Sequence, residues 1–103
     1  MKQLRKVGEI VEFLRELSQI IEERRQTPKP DSYTCKLFAS GEDEILKKIG
    51  EEAIEVILAA KGQGRQRIVE EAGDLIYHLL VMFSLKEIRL EEIEAELRRR
   101  HGG

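Results

Sequence analysis

Between Glu51 and Asp74 the chain sets two acidic pairs inside helical apolar patterns, on either side of a short break containing glycine. No other feature constrains the fold as much. The stretch from Gly50 to Leu75 reads GEEAIEVILAAKGQGRQRIVEEAGDL. On a helix turning about 100° per residue, Ile45, Leu46, Ile49, Ala53, Val56, Ile57 and Ala60 form one apolar arc. Glu52 falls inside the edge of that arc, with Glu55 and Lys48 beside it. From Val69 to Leu85 apolar residues run nearly all the way round, the mark of a helix buried on most sides. Glu71, Asp74 and His78 share one strip of that helix. Glu52 with Glu55, and Glu71 with Asp74, are each neighbours one turn apart. An ionised carboxylate taken out of water costs on the order of several kcal/mol unless it is paired or binds a metal. Four of them directed into one groove repel one another, and a divalent cation resolves the conflict.

The break predicts that the two acidic helices lie antiparallel. Gly62 is placed to end the first in a left-handed conformation, and Gln63 and Gly64 complete a tight turn. Residues equally far from that turn then come level, so Glu55 faces Glu71, and Glu52 faces Asp74 one turn further out. Upstream, Leu4, Val7, Val11, Leu14, Leu17 and Ile21 recur at spacings of three and four, which predicts a long amphipathic helix from Leu4 to Arg25. Thr27, Pro28 and Pro30 end it. Residues 27–40 read as an ordered loop anchored by Leu37 and Phe38, and Ser40 reads as the N-cap of the next helix, with Asp43 three residues on. A last helix carries Leu90, Ile93 and Leu97 on one stripe. Arg98, Arg99 and Arg100 fall in its final turn, where cations suit the helix dipole. The expected architecture is all-α: an antiparallel bundle of about four helices per chain, completed by dimerisation.

At 103 residues the expectation is one domain over 1–103, small enough for a second subunit to help complete its core. Eighteen basic and twenty acidic side chains nearly balance, which gives no general argument for nucleic acid or an anionic membrane as partner. No apolar run approaches the roughly 20 residues of a membrane span, and the charged N-terminus lacks the apolar centre of a signal peptide. Cys35 is alone, so a reducing cytoplasm is expected and the residue reads as structural.

The acidic candidates offer oxygen donors, which select a hard cation, Mg²⁺ or else Mn²⁺. Mg²⁺ completes its shell with water and substrate phosphates, so a polyphosphate is the natural substrate. Glu52, Glu55, Glu71 and Asp74 are the candidate ligands, and Glu51, rotated about 100° from Glu52, is the candidate base. Lys48 shares the face of Glu52 and is a candidate phosphate contact. Ser32, Tyr33 and Thr34, flanked by Lys29 and Lys36, suit phosphate or ribose. His78 lies one turn after Asp74, where it reads first as a core histidine bonded to that carboxylate and second as a site residue. A di-iron bundle would need a Glu-x-x-His motif from each of two helices, whereas the spacings here are Glu-x-x-Glu and Glu-x-x-Asp.

Three segments in this order, SYTCKLFASG (Ser32–Gly41), ILKKIGEEAIEVILAAK (Ile45–Lys61) and EEAGDLIYHLLV (Glu70–Val81), resemble the phosphoribosyl-ATP pyrophosphohydrolases of histidine biosynthesis. The resemblance covers about Leu17 to Leu97. The wider MazG-type all-α nucleoside triphosphate pyrophosphohydrolases share the pattern of Glu51, Glu52, Glu55, Glu71 and Asp74, while the SYT segment and Tyr77-His78 look like the histidine-pathway branch. It implies Mg²⁺-dependent hydrolysis of the α–β phosphoanhydride of phosphoribosyl-ATP, giving phosphoribosyl-AMP and pyrophosphate, by a helical homodimer. It also implies Glu52, Glu55, Glu71 and Asp74 as metal ligands, with Lys48 and the SYT segment at the substrate. Gly73 departs from the alanine usual in the family, and the first dozen residues match poorly. The rival readings are a MazG-type enzyme acting on ordinary or damaged nucleoside triphosphates, and a non-catalytic helical dimerisation module.

Overall fold

Helix periodicity and its interruptions account for the architecture. The computed structural model describes residues 2–102, and the side chains of residues 8, 9 and 11–102. Five helices occur among them, with no strand: α1 (Lys2–Gln26), α2 (Tyr33–Ser40), α3 (Glu42–Gly62), α4 (Arg65–Leu85) and α5 (Leu90–His101). None is long and apolar enough to cross a membrane.

The α1 stripe is as expected and deepens along the helix: Val11 is exposed, Leu14 and Leu17 are half-buried, and Ile21 is buried. Leu4 and Val7 lie outside the residues whose side chains are described. Thr27 N–H still reaches Glu23 O at 2.7 Å before the two prolines stop the helix.

Residues 27–40 are not one loop. The segment from Tyr33 to Ser40 is a helix, capped by Ser32, whose Oγ accepts from Cys35 N–H at 3.2 Å. The hydroxyls suggested a binding loop because Ser and Thr favour turns, yet the pair Leu37 and Phe38 carries the helical signal: Leu37 is in the core and Phe38 packs on it. Ser40 is therefore not the N-cap of the following helix. It ends α2 and donates to Leu37 O at 2.6 Å. Gly41 precedes α3 at φ 97°, and Glu42, Asp43 and Glu44 in the first turn complement the helix dipole instead.

The α3–α4 turn also differs in detail. Gly62 stays helical, Gln63 has φ −100°, and Gly64 holds the positive φ, 93°, immediately before α4. The helices fold back on each other as expected and form the most extensive helix pair. Lys86 at the end of α4 reaches Glu42 at the start of α3, with Nζ to Oε1 2.8 Å. Helix α4 also packs on α1, and α2 touches both α1 and α3. Ile21, Leu37, Ile45, Leu80 and Val81 meet at the centre, one or two from each of the first four helices. Burying each such side chain is worth roughly 1.5–3 kcal/mol. A charged link reinforces α1 on α4: buried Ser84 donates to Glu22, and Arg25 Nε donates to Ser84 Oγ at 3.2 Å.

Helix α5 begins where Glu92 accepts from Arg89 N–H at 3.0 Å. Its stripe is shallow, with Leu90 and Ile93 half-buried and Leu97 exposed. Arg98 pairs with Glu94, and Arg99 and Arg100 pair with Glu96, so the arginine run is a solvated face.

Candidate metal centre

The hairpin of α3 and α4 brings the two acidic motifs together. One carboxylate oxygen from each of Glu52, Glu71 and Asp74 lies within 4.8 Å of the other two. Glu71 is buried, Glu52 is half-buried, and Asp74 opens to solvent. The cluster is thus the lining of a groove with one exposed side. Glu55 is half-buried one turn along α3 and is outside this trio. Glu51 is exposed and Lys48 half-buried.

Burial holds the Glu52 carboxyl above its ordinary range, and the charge of Asp74 pushes the same way. Glu71 adds to the shift and His78 opposes it. Glu71 does not stand unpaired: Arg67, one turn earlier on α4, places Nη2 2.5 Å from its Oε2. Arg67 also reaches exposed Glu70, with Nη1 to Oε1 2.9 Å. Arg67 is not among the site residues expected from sequence, although its spacing to Glu70 and Glu71 is that of helical ion pairs.

His78 is buried and its ring is held at both nitrogens. Nδ1 lies 2.8 Å from the main-chain carbonyl of Asp74, so it carries the proton and donates there. Nε2 lies 3.3 Å from the Tyr33 hydroxyl, within hydrogen-bond reach. The histidine is bonded to the Asp74 backbone rather than to its carboxylate, and Nδ1 stands 3.9 Å from Glu52 Oε1. Of the three consecutive hydroxyls, Ser32 is spent on capping α2 and Thr34 meets the Tyr77 hydroxyl. Tyr33 stays half-exposed, its ring stacked on Tyr77 with centroids 6.1 Å apart. Tyr33 and His78 therefore connect α2 to the edge of the acidic groove.

The donor set fits a hard divalent cation. All three groups offer carboxylate oxygen, the donor that such an ion takes, and they lie close enough together to share one.

A family model described as phosphoribosyl-ATP pyrophosphohydrolase matches residues 14–101. The chain belongs to the phosphoribosyl-ATP pyrophosphohydrolase family.

Among curated relatives, it is 47% identical over 89 residues to a phosphoribosyl-ATP pyrophosphatase of Pyrobaculum islandicum, covering 86% of this chain and 95% of that protein. It is 48% identical over 86 residues to one of Bacillus cereus, covering 84% and 80%. It is 52% identical over 88 residues to the histidine biosynthesis bifunctional protein HisIE of Pyrococcus furiosus, covering 85% of this chain. The chain spans 41% of that bifunctional relative's length.

The matched region of this phosphoribosyl-ATP pyrophosphohydrolase family member contains all of the acidic groove and leaves out most of the first half of α1. That boundary agrees with the weak resemblance of the first dozen residues. Gly73, where alanine is usual, has no heavy atom within 4 Å of where a Cβ would stand.

Proposed function

We propose that the groove between α3 and α4 is where this chain hydrolyses phosphoribosyl-ATP to phosphoribosyl-AMP and pyrophosphate, a step of histidine biosynthesis. The observation that carries the reading is the meeting of Glu52, Glu71 and Asp74, with oxygens within 4.8 Å, on a groove open at one side. Glu52, Glu71 and Asp74 would hold Mg²⁺, for which Mn²⁺ could substitute, and Glu55 would supply a fourth carboxylate one turn along α3. A bound ion would supply neutralising charge at the departing pyrophosphate and would make an attacking water more acidic.

The chain's own residues do the rest. Glu51, exposed beside Glu52, accepts the proton as water attacks phosphorus and the bridging bond of the α–β anhydride breaks. Lys48 binds a phosphate of the substrate. Tyr33, half-exposed and hydrogen-bonded to His78, meets the nucleoside part. Ser32 and Thr34 act there by fixing α2.

Residues 1–103 act as one domain, and two copies form a homodimer. Ile54, Ile57 and Leu58 on α3 and Val69 and Ile76 on α4 are exposed in the single chain. A second copy burying this face would complete the bundle and would explain why the α4 sequence is apolar all round. The unpaired Cys35 suits the cytoplasm, where thiols stay reduced.

Pyrophosphate release from phosphoribosyl-ATP, with and without chelator, tests the activity. Release that stops on chelation and returns with Mg²⁺ is expected. Faster turnover of deoxynucleoside triphosphates would favour the MazG-type reading instead, and no turnover of either would favour a dimerisation module.

A further inference from the structure

Arg67 is the one cation that an ion pair joins to the acidic trio among the described residues, apart from the approach of His78. Its partner is the most buried member: the Glu71 side chain is 9% exposed and the Arg67 side chain 45%. A carboxylate so placed needs a counter-charge at all times, because an unpaired buried charge is strongly destabilising. Glu71 Oε2 receives it from Arg67 Nη2 at 2.5 Å. The guanidinium also has somewhere to go. Its other terminal nitrogen already rests on Glu70 Oε1 at 2.9 Å, out in solvent.

We propose that Arg67 is a tethered counter-ion that a divalent cation displaces: it neutralises Glu71 in the metal-free protein and shifts onto Glu70 when the metal site fills. This rests on Glu71 being a metal ligand, as proposed above. The physical reason is competition. A guanidinium within hydrogen-bond distance of a ligand carboxylate repels an arriving cation and holds one of the two oxygens that carboxylate can offer. Arg67 therefore sets a ceiling on affinity and lets the metal-free fold persist. It is a positioning residue, since it acts through Glu71 and touches no substrate in this reading.

The test measures Mn²⁺ binding by isothermal titration and the melting temperature of metal-free protein, for the wild type, Arg67→Gln, Arg67→Lys and Glu71→Gln. Arg67→Gln should bind Mn²⁺ about tenfold more tightly, the size expected for removing one nearby, partly screened like charge. Its metal-free melting temperature should fall, and Mn²⁺ should restore more of it than in the wild type. Arg67→Lys keeps the charge without the two-pronged grip and should lie between. Affinity unchanged or weakened in Arg67→Gln would overturn the exchange, leaving Arg67 as a surface pair or as a holder of Glu71 in ligating geometry. A wild type with no Mn²⁺ site sensitive to Glu71→Gln would instead overturn the metal reading itself. A second readout needs no variant: in a Mn²⁺-loaded crystal the contact between Arg67 and Glu71 should be gone and that with Glu70 kept. Retention of the Glu71 contact would overturn the proposal.

Discussion

Glu52 and Glu22 are both partly buried carboxylates on helices, yet their surroundings push them in opposite directions. Glu52 is held above its ordinary range by burial and by the charge of Asp74. Its replacement by Gln should therefore raise the metal-free melting temperature by a few degrees, the scale of about 1 kcal/mol in a domain this size. The same variant, like Asp74→Asn, should lose Mg²⁺-dependent pyrophosphate release. Calorimetry beside a pyrophosphate assay checks both halves. Glu22 is lowered from 4.5 to about 2, first by its hydrogen bond with Arg25 and then by Ser84 and Gln26. A depressed carboxyl contributes stability that is complete above the unfolded value, 4.5, and is lost as pH falls through the folded value, about 2. The pair is partly open to solvent, so screening reduces this contribution to about 1–2 kcal/mol. Denaturation at pH 6 and pH 3 should show the wild type losing more stability on acidification than Glu22→Gln. The acidic pairs were legible in the sequence because Glu52 interrupts an apolar arc. The Glu22–Ser84–Arg25 link was not, because its members lie on α1 and α4 and no periodicity connects them.

Helix ends decide the placement of these groups, and the two glycines of the α3–α4 turn divide the work. Gly64 adopts φ 93°, a region L-residues rarely enter, whereas Gly62 is helical. Neither has a heavy atom within 4 Å of a Cβ position. Gly64→Ala should thus destabilise by about 1–2 kcal/mol through backbone strain alone. Gly62→Ala should stabilise by up to about 1 kcal/mol by removing glycine from a helix. Urea midpoints for the two variants, moving in opposite directions, would check the assignment. The turn is legible in sequence to within two residues, but the left-handed conformation expected at Gly62 falls on Gly64, since either glycine can supply it. The same local ambiguity hid α2, where Ser32, Tyr33 and Thr34 look like turn residues until Leu37 and Phe38 are seen packing on the core.

At the scale of the whole molecule, apolar surface is distributed as if the chain were unfinished. Ile57 is 61% exposed, Val69 60% and Ile54 58%. Large apolar side chains left this exposed on neighbouring helices are what an interaction face requires. Sedimentation should find the wild type dimeric and Ile57→Asp shifted to monomer with its helical signal largely kept. An unchanged sedimentation coefficient in Ile57→Asp would remove this face as the interface. The apolar circumference of α4 was legible from its sequence, but periodicity gives the width of a stripe and not which neighbour covers it.

The chain's sequence alone determined that it is helical, where its breaks fall, and which carboxylates interrupt apolar faces, because each of these depends on residues within a turn or two of one another. Tertiary structure alone decided that Glu52, Glu71 and Asp74 form the close trio with Glu55 outside it, and that His78 bonds to the Asp74 backbone and Tyr33. It also decided that Arg67 attends Glu71. Those outcomes depend on the rotation of one helix against another, which is set by how side chains interlock across the whole core.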